Sequence, residues 1–62
     1  MMRSKPYVVT VMTKLLNGTW DKVCYRYSRV DDMIYYAGYY VDLAEQRLQD
    51  GEIVDYQVSY PG

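Results

Sequence analysis

Apolar residues in the second half of the chain recur at helical spacing. Val30, Ile34, Ala37, Val41, Ala44 and Leu48 fall alternately four and three residues apart, which keeps them on one stripe of a helix with ~3.6 residues per turn. The stretch 28–51 is therefore expected to be one helix with that stripe against a core. Ser28 is expected to cap its first turn with Asp31 three residues on, Asp31 and Asp32 suit the positive end of the helix dipole, and Gly51 offers a left-handed stop. Beside this stripe lies a second one, Met33, Tyr36, Tyr40 and Leu43, which leaves the helix apolar over more than half its circumference. One small sheet covers one side of a helix, so the second stripe is expected to meet another protein. Gly38 at mid-helix costs ~1 kcal/mol relative to Ala. Either another backbone approaches it or the helix breaks there.

The remainder alternates at the period of a strand. Tyr7 to Thr13 is dense in β-branched and aromatic residues, with Tyr7, Val9 and Val11 on one face and Val8, Thr10 and Met12 on the other. Asn17-Gly18 marks a hairpin, of the kind whose two central residues both take positive φ. Trp20 to Tyr27 then places Val23, Tyr25 and Tyr27 opposite Lys22, Cys24 and Arg26. After the helix, Glu52 to Tyr60 sets Val54, Tyr56, Val58 and Tyr60 against Asp55, Gln57 and Ser59. The expected fold is α+β: a three-stranded sheet with one long helix packed on one face, two layers, in the order strand, strand, helix, strand. Pattern does not say whether the third strand lies beside the first or the second; beside the first it is expected to run parallel.

Sixty-two residues make a single domain, 1–62, with residues 1–6 expected to fray. A core this small gains from a partner subunit, so a homodimer is expected, with Gly38, Tyr40 and Leu43 as its contacts. Cys24 is the single cysteine, so no disulfide forms within the chain, a reducing compartment is the simpler expectation, and mid-strand it reads as a small buried apolar residue. No run suits a membrane span or a signal peptide, and a cytoplasmic protein is expected.

Chemistry for catalysis is sparse. There is no histidine, one cysteine cannot build a zinc site, the aspartates lack calcium-loop spacing, and no glycine-rich phosphate loop is present. Asp31 and Asp32 are neighbours on a helix and diverge by about 100°, so they do not form an acid and base pair. A non-enzyme with no metal and no cofactor is expected. The net charge of −1 hides a division: residues 1–30 carry six basic side chains and one acidic, residues 31–62 one basic and seven acidic. An acidic helix suits a basic, DNA-binding protein as partner. The hairpin, with Lys14, Lys22, Arg26 and Arg29 among Trp20, Tyr25 and Tyr27, offers a second possibility, a single-strand nucleic-acid-binding module. The acidic half weighs against it, and direct nucleic-acid binding is the lesser expectation.

Several of these residues together resemble a known family. Tyr7-x-Val9-Thr10, Asn17-Gly18 at the hairpin, Tyr25-x-Tyr27, Asp32 followed by an apolar residue, Gly38 six residues later, and Glu52-Ile53 are similar to the small uracil-DNA glycosylase inhibitors of terminal-protein-primed Bacillus phages. The resemblance implies a dimer with the strand, strand, helix, strand order, acting in the infected bacterium as a DNA mimic that occupies the glycosylase's DNA-binding cleft. It also implies an aromatic plug from the helix, filling the enzyme's apolar pocket. This chain has no Phe, and the plug falls to Met33. Asp31, Asp32, Met33 and Tyr36 are thus the expected partner-binding residues. Other small phage proteins of similar architecture imply an alternative target, such as RNA polymerase or a defence complex.

Overall fold

The structure, a computed structural model, describes residues 5–61. Of the segment expected to fray, residues 1–4 lie outside the described residues, and Lys5 and Pro6 carry no regular structure. The elements are β1 (Tyr7–Leu15), β2 (Trp20–Tyr27), α1 (Val30–Gln49) and β3 (Ile53–Ser59). The fold is α+β in the expected order, with α1 against one face of a three-stranded sheet of order β2-β1-β3.

β3 lies beside β1 but runs antiparallel to it, not parallel. The reason is the length of α1: the chain reverses after β2, travels the length of the helix, and reverses again at Gly51. β3 therefore has the direction of β2, and both oppose the central strand.

The hairpin turn also differs from expectation. Gly18 alone has positive φ, at 87°, and Asn17 does not. The Gly18 N–H donates to the Leu15 carbonyl at 2.9 Å and the Leu15 N–H to the Thr19 carbonyl at 2.8 Å, which closes a three-residue loop with glycine in the left-handed position. The Thr19 N–H donates to Asn17 Oδ1 at 2.9 Å, so the asparagine acts through its side chain.

The helix begins one residue later than the expected cap. Arg29, not Ser28, is the N-cap; it makes no side-chain cap bond, and the Met33 N–H reaches the Arg29 carbonyl at 3.2 Å. The far end follows the glycine rule. Gly51 has φ 77°, its N–H donates to the Leu48 carbonyl at 3.1 Å, and the Glu52 N–H to the Arg47 carbonyl at 3.0 Å. These paired bonds form a Schellman motif. Where such motifs often place an apolar contact, Arg47 Nε donates to Glu52 Oε1 at 3.2 Å, and β3 starts directly after it.

The core takes residues from both helix stripes. Met33, Ala37 and Ala44 are buried, Met33 at 2% exposure, and Val9 and Ile53 join them from the sheet. Tyr7, Val11, Tyr27, Tyr40 and Val58 pack against the cluster of Val9, Met33 and Ala37. Val30, Ile34 and Leu48, expected inside, are exposed, Ile34 at 55%. The helix is rolled so that its two alanines and a flexible methionine meet β1, where side chains of small volume let the layers approach. α1 is continuous through Gly38.

One irregularity sets the register of β3. Lys14 pairs Asp55 and Leu15 pairs Ile53, so Val54 is an extra residue, a β-bulge. The bulge brings Ile53 into the core and leaves Val54 half exposed, reversing the alternation expected at that end. β2 pairs β1 without any shift from Tyr27 to Trp20.

Candidate protein-binding surface

Tyrosines dominate the side of α1 that overhangs β2. Tyr25 stacks on Tyr40 with ring centroids 4.2 Å apart, and Tyr27 on Tyr36 at 5.1 Å with planes 5° from parallel. Tyr35 and Tyr39 meet Tyr36 edge-on at 5.1 and 6.1 Å, and Tyr39 meets Tyr40 at 5.4 Å. The alternation of β2 aims Tyr25 and Tyr27 at the helix, and the spacing of four between Tyr36 and Tyr40 puts two rings over them. Stacked and edge-on aromatic pairs contribute ~0.5–1.5 kcal/mol each beyond their buried area. The cluster therefore fixes the roll of the helix.

The Tyr27 and Tyr40 hydroxyls are 2.9 Å apart in a hydrogen bond. Burial, aided by that bond and by the neighbouring Tyr27 and Tyr39, pushes the Tyr40 phenol up to about 12. Across the sheet, the Tyr56 hydroxyl donates to Glu45 Oε2 at 3.0 Å, which raises the Tyr56 phenol above its ordinary value. These two pairs tie α1 to both edge strands.

Below the tyrosines, Val11, Thr13, Val23, Tyr25, Tyr40 and Leu43 line an open groove of about 90 Å³ between α1 and β2. Asp21 and Arg47 also line it. It is smaller than the several hundred Å³ of a typical small-molecule pocket.

The expected partner residues fall into separate groups. Asp31 and Asp32 are exposed in the first turn of α1, Asp31 within 3.9 Å of Arg29. Met33 is not an exposed knob: its side chain lies in the core, so it offers no plug to a partner. The expectation failed because the helix turns the boundary between the two stripes inward, instead of the first stripe. Tyr36 is 37% exposed within the tyrosine cluster. Of the expected dimer contacts, Gly38 is open, with nothing within 4 Å of where a Cβ would sit, and Leu43 is 43% exposed. Tyr40 has both ring and hydroxyl engaged within the chain.

Two residues outside both stripes complete the surface. Tyr35, 70% exposed, and Tyr39 continue from Asp31 at intervals of four, and Asp42 follows three residues later. This ridge is the solvent side of α1. Its sequence signal was the presence of large aromatic rings on the helix face opposite the core, where polar residues are ordinary.

Among the described residues no group of three or more Cys, Asp or Glu could hold a metal ion, and no helix is long and apolar enough to cross a membrane. Fold and surface together define a class: a two-layer α+β domain with one helix, presenting an aromatic and acidic helix face. No protein-family model, curated protein or solved structure matches the chain.

Proposed function

We propose that this chain is a protein inhibitor that docks its helix in the DNA-binding cleft of a DNA-processing enzyme, with uracil-DNA glycosylase as the first target to test. One observation carries the reading: exposed Tyr35 and Tyr39 stand among the carboxylates of Asp31, Asp32 and Asp42 on the free side of α1, with Tyr36 at its edge. Carboxylates on a rigid helix substitute for phosphates before a cation-lined cleft, and tyrosine supplies anchoring area at small entropic cost. The sequence resemblance supports the choice of target. With Met33 in the core, the anchor is Tyr35, which has Asp31 and Asp32 one turn before it.

The inhibitor acts in the bacterial cytoplasm as a homodimer, the second copy taking the open flank at Gly38. The test is titration of the purified protein into a uracil-excision assay. Wild type should inhibit stoichiometrically, and Tyr35→Ala should weaken inhibition about 10- to 100-fold, as loss of an anchor does. Asp32→Lys should slow association more than it speeds dissociation, with the defect shrinking at high salt. Absence of inhibition by wild type removes this target, and a tyrosine variant as potent as wild type removes the anchor.

A further inference from the structure

The sheet has a second face, which α1 does not touch. Thr10 Oγ1 and Cys24 Sγ lie 3.8 Å apart on it, and Cys24, expected to be buried, is exposed there. By strand alternation the same face carries Val8, Met12 and Lys14 from β1, Trp20, Lys22 and Arg26 from β2, and Asp55, Gln57 and Ser59 from β3. The register sets Lys14 opposite Trp20, Met12 opposite Lys22, and Val8 opposite Arg26. Three cations and one 42% exposed indole therefore share a surface with an apolar floor.

The fold alters what the sequence implied about charge. Asp31, Asp32, Asp42 and Glu45 are on α1 and Asp50 caps it, on the far side of the sheet. Glu52 is bonded to Arg47, and Asp21 lines the groove under the helix. Asp55 is the one carboxylate on the helix-free face among the described residues, and its Oδ1 accepts the Tyr56 N–H at 2.7 Å. Charges a protein layer apart are separated by about one Debye length at 0.1 M salt, so the acidic helix does not cancel the basic sheet. Tyr25 and Tyr27, by contrast, belong to the helix side, and among the described residues Trp20 is the aromatic side chain available on this face.

We propose that this helix-free sheet face binds single-stranded nucleic acid, with the Trp20 indole stacking on one base and Lys14, Lys22 and Arg26 contacting the phosphates on either side. A single strand suits the face better than a duplex, because one indole on an open sheet reaches bases only when they are unpaired. It also suits the face better than an acidic peptide, which would use the cations and leave the indole without a stacking partner.

Trp20 is the single tryptophan, so its fluorescence reports on this face alone. Titration with a short oligothymidylate at low salt should quench it saturably. Binding of the same oligonucleotide, fluorescein-labelled and followed by anisotropy, should fall with salt at a log–log slope of about −2, as three phosphate contacts give. Trp20→Ala should weaken it about 10- to 100-fold. Lys22→Glu with Arg26→Glu should abolish it while the circular dichroism spectrum stays unchanged. Asp31→Asn with Asp32→Asn should leave it within about twofold. Lack of quenching, a charge-reversed variant that binds like wild type, equal affinity for duplex DNA, or equal affinity for polyglutamate would each overturn the proposal.

Discussion

Replacing Gly38 by Ala should stabilise the isolated subunit. Gly18 and Gly51 have positive φ and terminate elements, whereas Gly38 sits within continuous α1, and a Cβ built there meets nothing within 4 Å. No steric term opposes the gain in helix propensity, which is ~0.8–1 kcal/mol for Ala over Gly. Unfolding entropies of ~2.1 cal/mol/K per residue give a domain of this length about 0.13 kcal/mol/K, so the gain raises Tm by about 6–8 °C. The measurement is thermal unfolding by circular dichroism across a hundredfold range of protein concentration. At concentrations where the protein is monomeric, an unchanged or lower Tm for the alanine variant would refute the reasoning. In the proposed dimer the added methyl meets the second copy, so the advantage should shrink or reverse as concentration rises, and the wild-type Tm should itself rise with concentration.

Two further perturbations test the core and the tyrosine cluster. Met33→Ala removes a fully buried side chain and should cost about 2–5 kcal/mol, read as a lower urea midpoint; a variant as stable as wild type would show that Met33 is not a core residue. Raising the pH should destabilise the fold between about 10 and 12, because Tyr40 ionises at its ordinary value once unfolded but only near 12 in the native state. The folded form is favoured below pH 10 and loses that advantage as the pH passes the native value. Tyr40→Phe should shift the alkaline midpoint of unfolding upward, which fluorescence against pH will show; an unaltered midpoint would sink the assignment.

The order of elements was legible because each carries its own period, and the helix stop was legible because Gly51 serves a local backbone need. The roll of α1 was not. Two apolar stripes of similar strength, Val30-Ile34-Ala37 and Met33-Tyr36-Tyr40, left the inward direction to be settled by volume, and the stacking of Tyr25 and Tyr27 on Tyr40 and Tyr36 settled it. That preference resides in pairs far apart in sequence, so no single-element pattern contains it. The antiparallel placement of β3 was inferable from two short connections around a long helix. The bulge at Val54 was not, since Ile53 and Val54 are equally apolar and only the packing of one beneath α1 distinguishes them. Of the candidate surface, the acidic turn at Asp31 and Asp32 was visible from sequence, whereas the separation of acids and cations onto opposite layers required the sheet order.

The contrast between the two outer strands governs how such domains can meet one another. β2 and β3 run in the same direction, so a copy shifted sideways could lay its β3 along the next copy's β2, and nothing in that arrangement closes. Repetition would give a ribbon without end. The straight, eight-residue edge of β2 is open to such addition, but the displaced backbone at Val54 spoils the complementary edge at the point where it would begin to pair. A single extra residue thus interrupts the edge along which such a ribbon would have to grow.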